Sequence, residues 1–183
     1  GMVPTPPNNT TTFLRGDATF AAPVSGALTY AGGNTTEAST TSTTLADILT
    51  ATVSIAAAVP FDVRCIMRKG TGAASTARID MKLNTTQLEL IDEAAAFIQW
   101  APVSQDVARD GNLIVHVPPV VTNYTGIVTG LWACSNAAAA ENLGAGTGRP
   151  TATITSVIIQ GLVANALVTM YVDELHVYSL AVA

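Results

Sequence analysis

FDVRCIMRK, residues 61–69, decides the fold: Val63, Cys65 and Met67 fall on one side, Asp62, Arg64 and Arg68 on the other. A period of two is the pleat of a strand with one buried face, whereas a helix would bring apolar residues back every three or four positions. The same pattern continues outward in both directions. Leu49, Ala51, Val53 and Ile55 alternate with Thr50, Thr52 and Ser54 ahead of Pro60, and Ile79, Met81 and Leu83 alternate with Arg78, Asp80 and Lys82 further on. Residues 62–83 therefore read as a hairpin across the turn-rich GTGAAST, with charges of both signs on its outer face. LELIDEAAAFIQWAP mixes helical and extended preferences and reads as two short strands joined by a turn of helix. Leu113, Val115 and Val117 share one face of RDGNLIVHVPP, and residues 126–134 (GIVTGLWAC) make another strand. TATITSVIIQG and ALVTMYVDELHVYSLAV close the chain as two strand-length runs with a turn at 161–165. About eight strands and no long amphipathic helix predict an all-β fold, an antiparallel β-sandwich of jelly-roll type.

The strand texture begins near residue 45. Residues 1–12 contain three prolines, and the stretch up to 44 is poor in bulky apolar residues and ends in NTTEASTTSTT, so 1–44 reads as an extended N-terminal arm and 45–183 as the sandwich domain. With 183 residues, one domain of ordinary size is expected.

Composition excludes several classes of function. Charged residues are 11% of the chain, against about 25% in an average soluble domain. Eight Lys and Arg with no basic run cannot neutralise a phosphate backbone, which excludes nucleic acid as a partner. No apolar run approaches the roughly 20 residues of a membrane span, so membrane insertion is excluded too. Met2 is followed by VPTPPNNTTT in place of a basic segment and an apolar core, and no signal peptide is expected. Cys65 and Cys134 lie far apart in apolar strands and read as two buried free thiols, a disulfide being the alternative. His116 and His176 stand in strand patterns without ligand spacing, which points to structural or surface roles and away from zinc. Neither histidine lies in a nucleophile motif, so the chain is expected not to be an enzyme.

Residues 11–23, TTFLRGDATFAAP, resemble a short motif of bacteriophage tail-fibre and tail-collar proteins. Phe13, Leu14, Arg15, Gly16, Asp17, Thr19 and Phe20 match it, while Ala18 replaces the usual Gly and Phe20 a frequent Trp. The resemblance covers the arm alone. It implies a virion location, a homotrimer, and attachment to a host surface as the task of the remaining chain. Within the motif, Arg15-Gly16-Asp17 reads as a tight turn with solvated charges and not as an integrin ligand. At the other end, MYVDELHVYSL (170–180) is similar to the closing strand of jelly-roll carbohydrate-binding modules.

Trp100, Tyr124 and Trp132 are the aromatics best suited to stack on a sugar ring, although Trp132 in mid-strand favours burial. Asp173 and Glu174 interrupt an apolar strand and need compensation. A structural calcium held by Asp173 with Glu37 or Asp47 is one form of it; emergence at the surface or a salt bridge to an arginine is another. The expected function is a non-enzymatic virion attachment protein of tail-fibre type that binds a surface glycan. A monomeric carbohydrate-binding module is the alternative, and a glycan depolymerase, which needs two carboxylates across a cleft, comes third.

Overall fold

The computed structural model describes residues 28–70, 76–88, 90, 111–120 and 149–180, with the strand backbone at 13–14, 20–21, 91–92, 98–100, 109–110, 129–134 and 141–145. The alternating stretches are all strands. β1 (Phe13–Leu14) and β2 (Phe20–Ala21) pair with each other. They are followed by β3 (Leu28–Asn34), β4 (Ala38–Thr40), β5 (Ala46–Ile55), β6 (Phe61–Lys69), β7 (Ala77–Leu83), β8 (Thr86–Gln87), β9 (Leu90–Asp92) and β10 (Ile98–Trp100). The remainder are β11 (Arg109–Val117), β12 (Thr129–Cys134), β13 (Glu141–Ala145), β14 (Ile154–Val163) and β15 (Met170–Leu180). Among the described residues there is no helix. The larger sheet has the order β3-β15-β6-β11-β12-β13-β9 with β4 beside β15, and the smaller has β10-β7-β14-β5 with β8 beside β7. Every pairing is antiparallel, which gives the sandwich that the alternation predicts.

The core forms where the two inner faces meet. Leu49, Ala51, Val53 and Ile55 of β5, Val63, Cys65 and Met67 of β6, Ile79, Met81 and Leu83 of β7, and Leu113, Val115 and Val117 of β11 are all buried, as predicted. Val157 and Ile159 of β14 and Val172, Leu175 and Val177 of β15 complete it. Each such side chain contributes roughly 1.5–3 kcal/mol on leaving water, so a one-residue slip of any strand would forfeit several of these at once.

The predicted hairpin over 62–83 does not form. β6 lies between β15 and β11 in the larger sheet, while β7 lies between β10 and β14 in the smaller. Periodicity specifies which face of a strand is buried and not which strand lies beside it. Two strands whose apolar faces are both strong can satisfy them by facing each other across the core.

Part of the predicted arm belongs to the sandwich. β3 and β4 run along the outer edge of β15, with Tyr30 opposite Tyr178 and Ala38 opposite Val172. Their sequence is poor in core residues because an edge strand contributes mainly backbone hydrogen bonds. β3 also closes over β5: a Cβ at Gly32 would sit 2.4 Å from the Thr52 carbonyl oxygen, and Asn34 Nδ2 donates to the Thr50 carbonyl at 3.0 Å. The open edge of the smaller sheet is thereby covered, which protects it from pairing with another chain. In the LELIDEAAAFIQWAP stretch, β9 and β10 are the two short strands expected and lie in opposite sheets; the turn of helix between them falls outside the described residues.

Asp80, expected on the charged outer face of the hairpin, is fully buried. Its Oδ1 accepts the backbone amides of Met81 (2.9 Å) and Leu90 (3.0 Å), and its Oδ2 accepts from Gln87 Nε2 (2.8 Å) and Arg78 Nη2 (3.3 Å). β8 pairs with β7 at residues 82–83 and β10 pairs with it at 77–79. Asp80 stands in the gap between them, and its carboxylate bonds the Leu90 amide where the chain leaves the smaller sheet to form β9 in the larger.

Candidate functional site

The outer faces of the two sheets differ in kind. On the smaller sheet, Thr50, Thr52 and Ser54 are exposed, and Asp47 accepts from Lys82 Nζ at 2.7 Å and from Gln160 Nε2 at 2.7 Å. The Lys82 contact, more than the Gln160 one, holds the Asp47 carboxyl below its ordinary value against the opposing effect of burial. This is a solvated polar surface with its charges paired.

The larger sheet presents aromatic and aliphatic side chains to solvent. Its register sets Tyr30, Tyr178, Asp62 and His116 in one row across β3, β15, β6 and β11. The next row is His176, Arg64, Ile114 and Leu131, and a third is Glu174, Ile66 and Asn112. Tyr30 is 56% exposed, Ile66 43%, Ile114 40% and Leu131 38%. Several exposed apolar side chains set among polar residues on one face suit a contact surface.

Neighbouring rings and charges fix the patch. Tyr30 meets Tyr178 edge-on at 5.7 Å between centroids and lies 6.2 Å from the His176 ring, while the Arg64 guanidinium sits 5.2 Å from the Tyr178 centroid. His116 Nδ1 and Asp62 Oδ1 are 2.8 Å apart, and His176 Nε2 and Glu174 Oε2 are 3.0 Å apart. Both carboxylates on this part of the face are thus engaged by histidines. Arg64 makes no ion pair among the described residues. Between β6, β11 and β15 the surface dips into a cleft of ≈ 230 Å³, bordered by Arg64, Ile66, Asn112, Ile114 and His176 with Cys65 and Leu113 beneath. Its floor is apolar and its rim carries the polar atoms, the arrangement typical of small-ligand sites.

Of the residues chosen from sequence, Trp100 lies on β10 at the edge of the smaller sheet opposite Ala77, and Trp132 on β12 of the larger sheet opposite Leu113. They belong to different sheets. Their side chains, and Tyr124 entirely, fall outside the described residues. Tyr30, Tyr178, His176 and Arg64 were not among the chosen residues.

Asp173 and Glu174 find their compensation in protein side chains. A bulge between Val172 and Glu174 breaks the strict alternation that would send the two carboxylates to opposite faces. Asp173 Oδ1 accepts from Arg68 Nε at 3.0 Å, Glu37 takes Nη2 of the same guanidinium, and Glu174 bonds His176. The Glu37 hydrogen bond, with that of Asp173, holds Arg68 above its ordinary pKa, and the guanidinium also stacks 3.8 Å from the Tyr171 centroid. Glu37, the carboxylate named from the arm, shares Arg68 with Asp173, so the compensation is the arginine salt bridge, with calcium the other expectation. Among the described residues no three His, Cys, Asp or Glu side chains gather as a metal site.

Cys65 is a free thiol, buried as expected. Burial foremost, with the Asp173 charge, pushes its pKa up, so little thiolate exists at neutral pH. In the native chain Cys65 is expected to resist iodoacetamide at pH 8 and to label within minutes in denaturant; peptide mapping that finds it alkylated under native conditions would contradict this.

No protein-family model matches the chain. No curated protein is significantly similar to it.

Proposed function

We propose that the chain is a non-enzymatic attachment domain of the tail-fibre type, homotrimeric in the virion, which contacts a host surface glycan through the outer face of its larger sheet. The observation that carries this reading is the asymmetry of the two faces: paired charges and threonines on one, and Tyr30, Ile66, Ile114 and Leu131 exposed on the other. The tail-fibre-like motif at residues 11–23 lies ahead of β3 and adds support from the sequence. Few charges leave much apolar surface for copies of the chain to cover, and closed symmetry is the ordinary way to cover it. The jelly-roll type belongs to the same reading, supported by the passage of the chain between sheets from β5 to β6, β6 to β7 and β14 to β15.

A second reading, the monomeric carbohydrate-binding module, is favoured by the cleft beside Arg64 and Asn112. Solution mass separates the two. Light scattering on the full chain is expected to give three times the 18.8 kDa chain mass; a monomer at all concentrations would remove the fibre reading and leave the module.

A further inference from the structure

We propose that the cleft between β6, β11 and β15 is a subsite for an acidic sugar, with Arg64 taking the carboxylate and the apolar face of the ring lying on Ile66 and Ile114. The proposal rests on the outer face of the larger sheet being a glycan-contact surface and names the chemistry of one place on it.

Arg64 is the reason for the acid. A guanidinium offers a planar fork of donors that fits a carboxylate with two parallel hydrogen bonds, and such charge-assisted bonds are roughly twice as strong as neutral ones. Elsewhere on this face the fork is already used: Arg68 is held by Glu37 and Asp173. Near Arg64, Asp62 bonds His116 and Glu174 bonds His176, and among the described residues neither carboxylate pairs with the guanidinium. The Tyr178 ring lies 5.2 Å from the Arg64 guanidinium carbon, which limits the rotamers of a long side chain without consuming its in-plane donors.

The two isoleucines that border the cleft are the reason for the sugar. An inorganic anion would satisfy Arg64 and leave Ile66 and Ile114 wet. A pyranose has an apolar C–H face to cover them and hydroxyls at its edge for Asn112, whose amide both donates and accepts. At ≈ 230 Å³ the cleft is below the roughly 300–1,000 Å³ of drug-sized sites, so it takes one ring of a longer glycan. The chain as a whole carries a net charge of −5, so attraction to an acid is local, within a Debye length of about 8 Å.

The test is titration of the full chain, followed by NMR chemical shifts, with methyl glucuronoside and methyl glucoside. The glucuronoside is expected to bind at least tenfold tighter. Arg64→Gln should abolish that margin with the melting temperature unchanged, and Ile114→Asp should weaken both sugars. Equal binding of the two sugars, or a margin that survives Arg64→Gln, overturns the acidic subsite and leaves the glycan face standing. Binding of neither sugar overturns both.

Discussion

Asp80→Ala lowers the stability of the fold by about 3–5 kcal/mol, the range found when one partner is removed from a buried charged pair. Four donors converge on this carboxylate, two of them the backbone amides of Met81 and Leu90. Truncation to Ala leaves the two amides without their acceptor in a buried site, and each buried donor without a partner costs about 1–3 kcal/mol. The Leu90 amide matters most, because its bond fixes the place where the chain crosses between sheets, and Leu88 and Leu90 on either side of the crossing are both buried. For a chain of this length the loss corresponds to roughly 6–20 °C in melting temperature. Asp80→Asn retains an acceptor for the amides but turns a donor toward Gln87 or Arg78, so about half the loss is expected. Urea unfolding followed by far-ultraviolet circular dichroism measures both. A loss under about 1 kcal/mol for Asp80→Ala would show that water reaches the donors, since solvated groups cost little to leave unpaired.

Asp80 also marks where the sequence stops being readable. In ARIDMKL its position looks like Arg78 and Lys82, polar residues on the outer side of an alternating strand. What buries it is the following segment, which returns along β7 as β8 and then departs, and no periodicity in the chain encodes that return. The inward faces of β5, β6, β7 and β11 were legible because burial follows local alternation. The partners of β6 and β7 were not, since neighbours in a sheet are chosen by contacts distant in sequence. The contact face was half legible. Ile66 stands among the charges of FDVRCIMRK, and Ile114 alternates out of phase with Leu113 and Val115, so each is an apolar residue on the solvent side. Tyr30 carried no such signal: it becomes part of the face only through its place opposite Tyr178.

The same topology explains why this face can be rigid enough to bind. β6 is paired along both edges, to β15 and to β11, over nearly its whole length. Arg64 and Ile66 therefore project from a backbone whose opposite side is locked by Val63, Cys65 and Met67 in the core. Positions held in this way lose little further freedom on binding, which favours affinity for a small ligand.

Arg149→Met is the second substitution with a large expected effect, about 2–4 kcal/mol, because a side chain of similar length replaces charge-assisted bonds worth about 1.5–3 kcal/mol each. Arg149 is 1% exposed, and no carboxylate contacts it among the described residues. Its guanidinium donates to three backbone carbonyls, those of Ala56 at 2.7 Å, Val59 at 2.5 Å and Pro118 at 3.3 Å, and lies 5.0 Å from the Phe61 ring centroid. Burial disfavours the charged form and lowers its pKa, yet a guanidinium starts so high that it stays protonated. Among the described residues the cation is balanced by carbonyl dipoles and the Phe61 ring. These carbonyls belong to the β5–β6 connection and to the chain just past β11, so the side chain ties a passage between sheets to the end of a central strand. Two neighbouring bonds, Val59 N to the Ala56 carbonyl and Val120 N to the Ala57 carbonyl, survive the substitution and limit the loss. Arg149→Lys separates charge from geometry: one ammonium cannot span three carbonyls spaced for a planar fork, so it should recover less than half of what Met loses. If Lys restored full stability, the positive charge would be what matters. If Met cost nothing, the connection would be held by its other bonds and the burial of Phe61. Urea midpoints of the three proteins, compared at constant slope, decide among these outcomes.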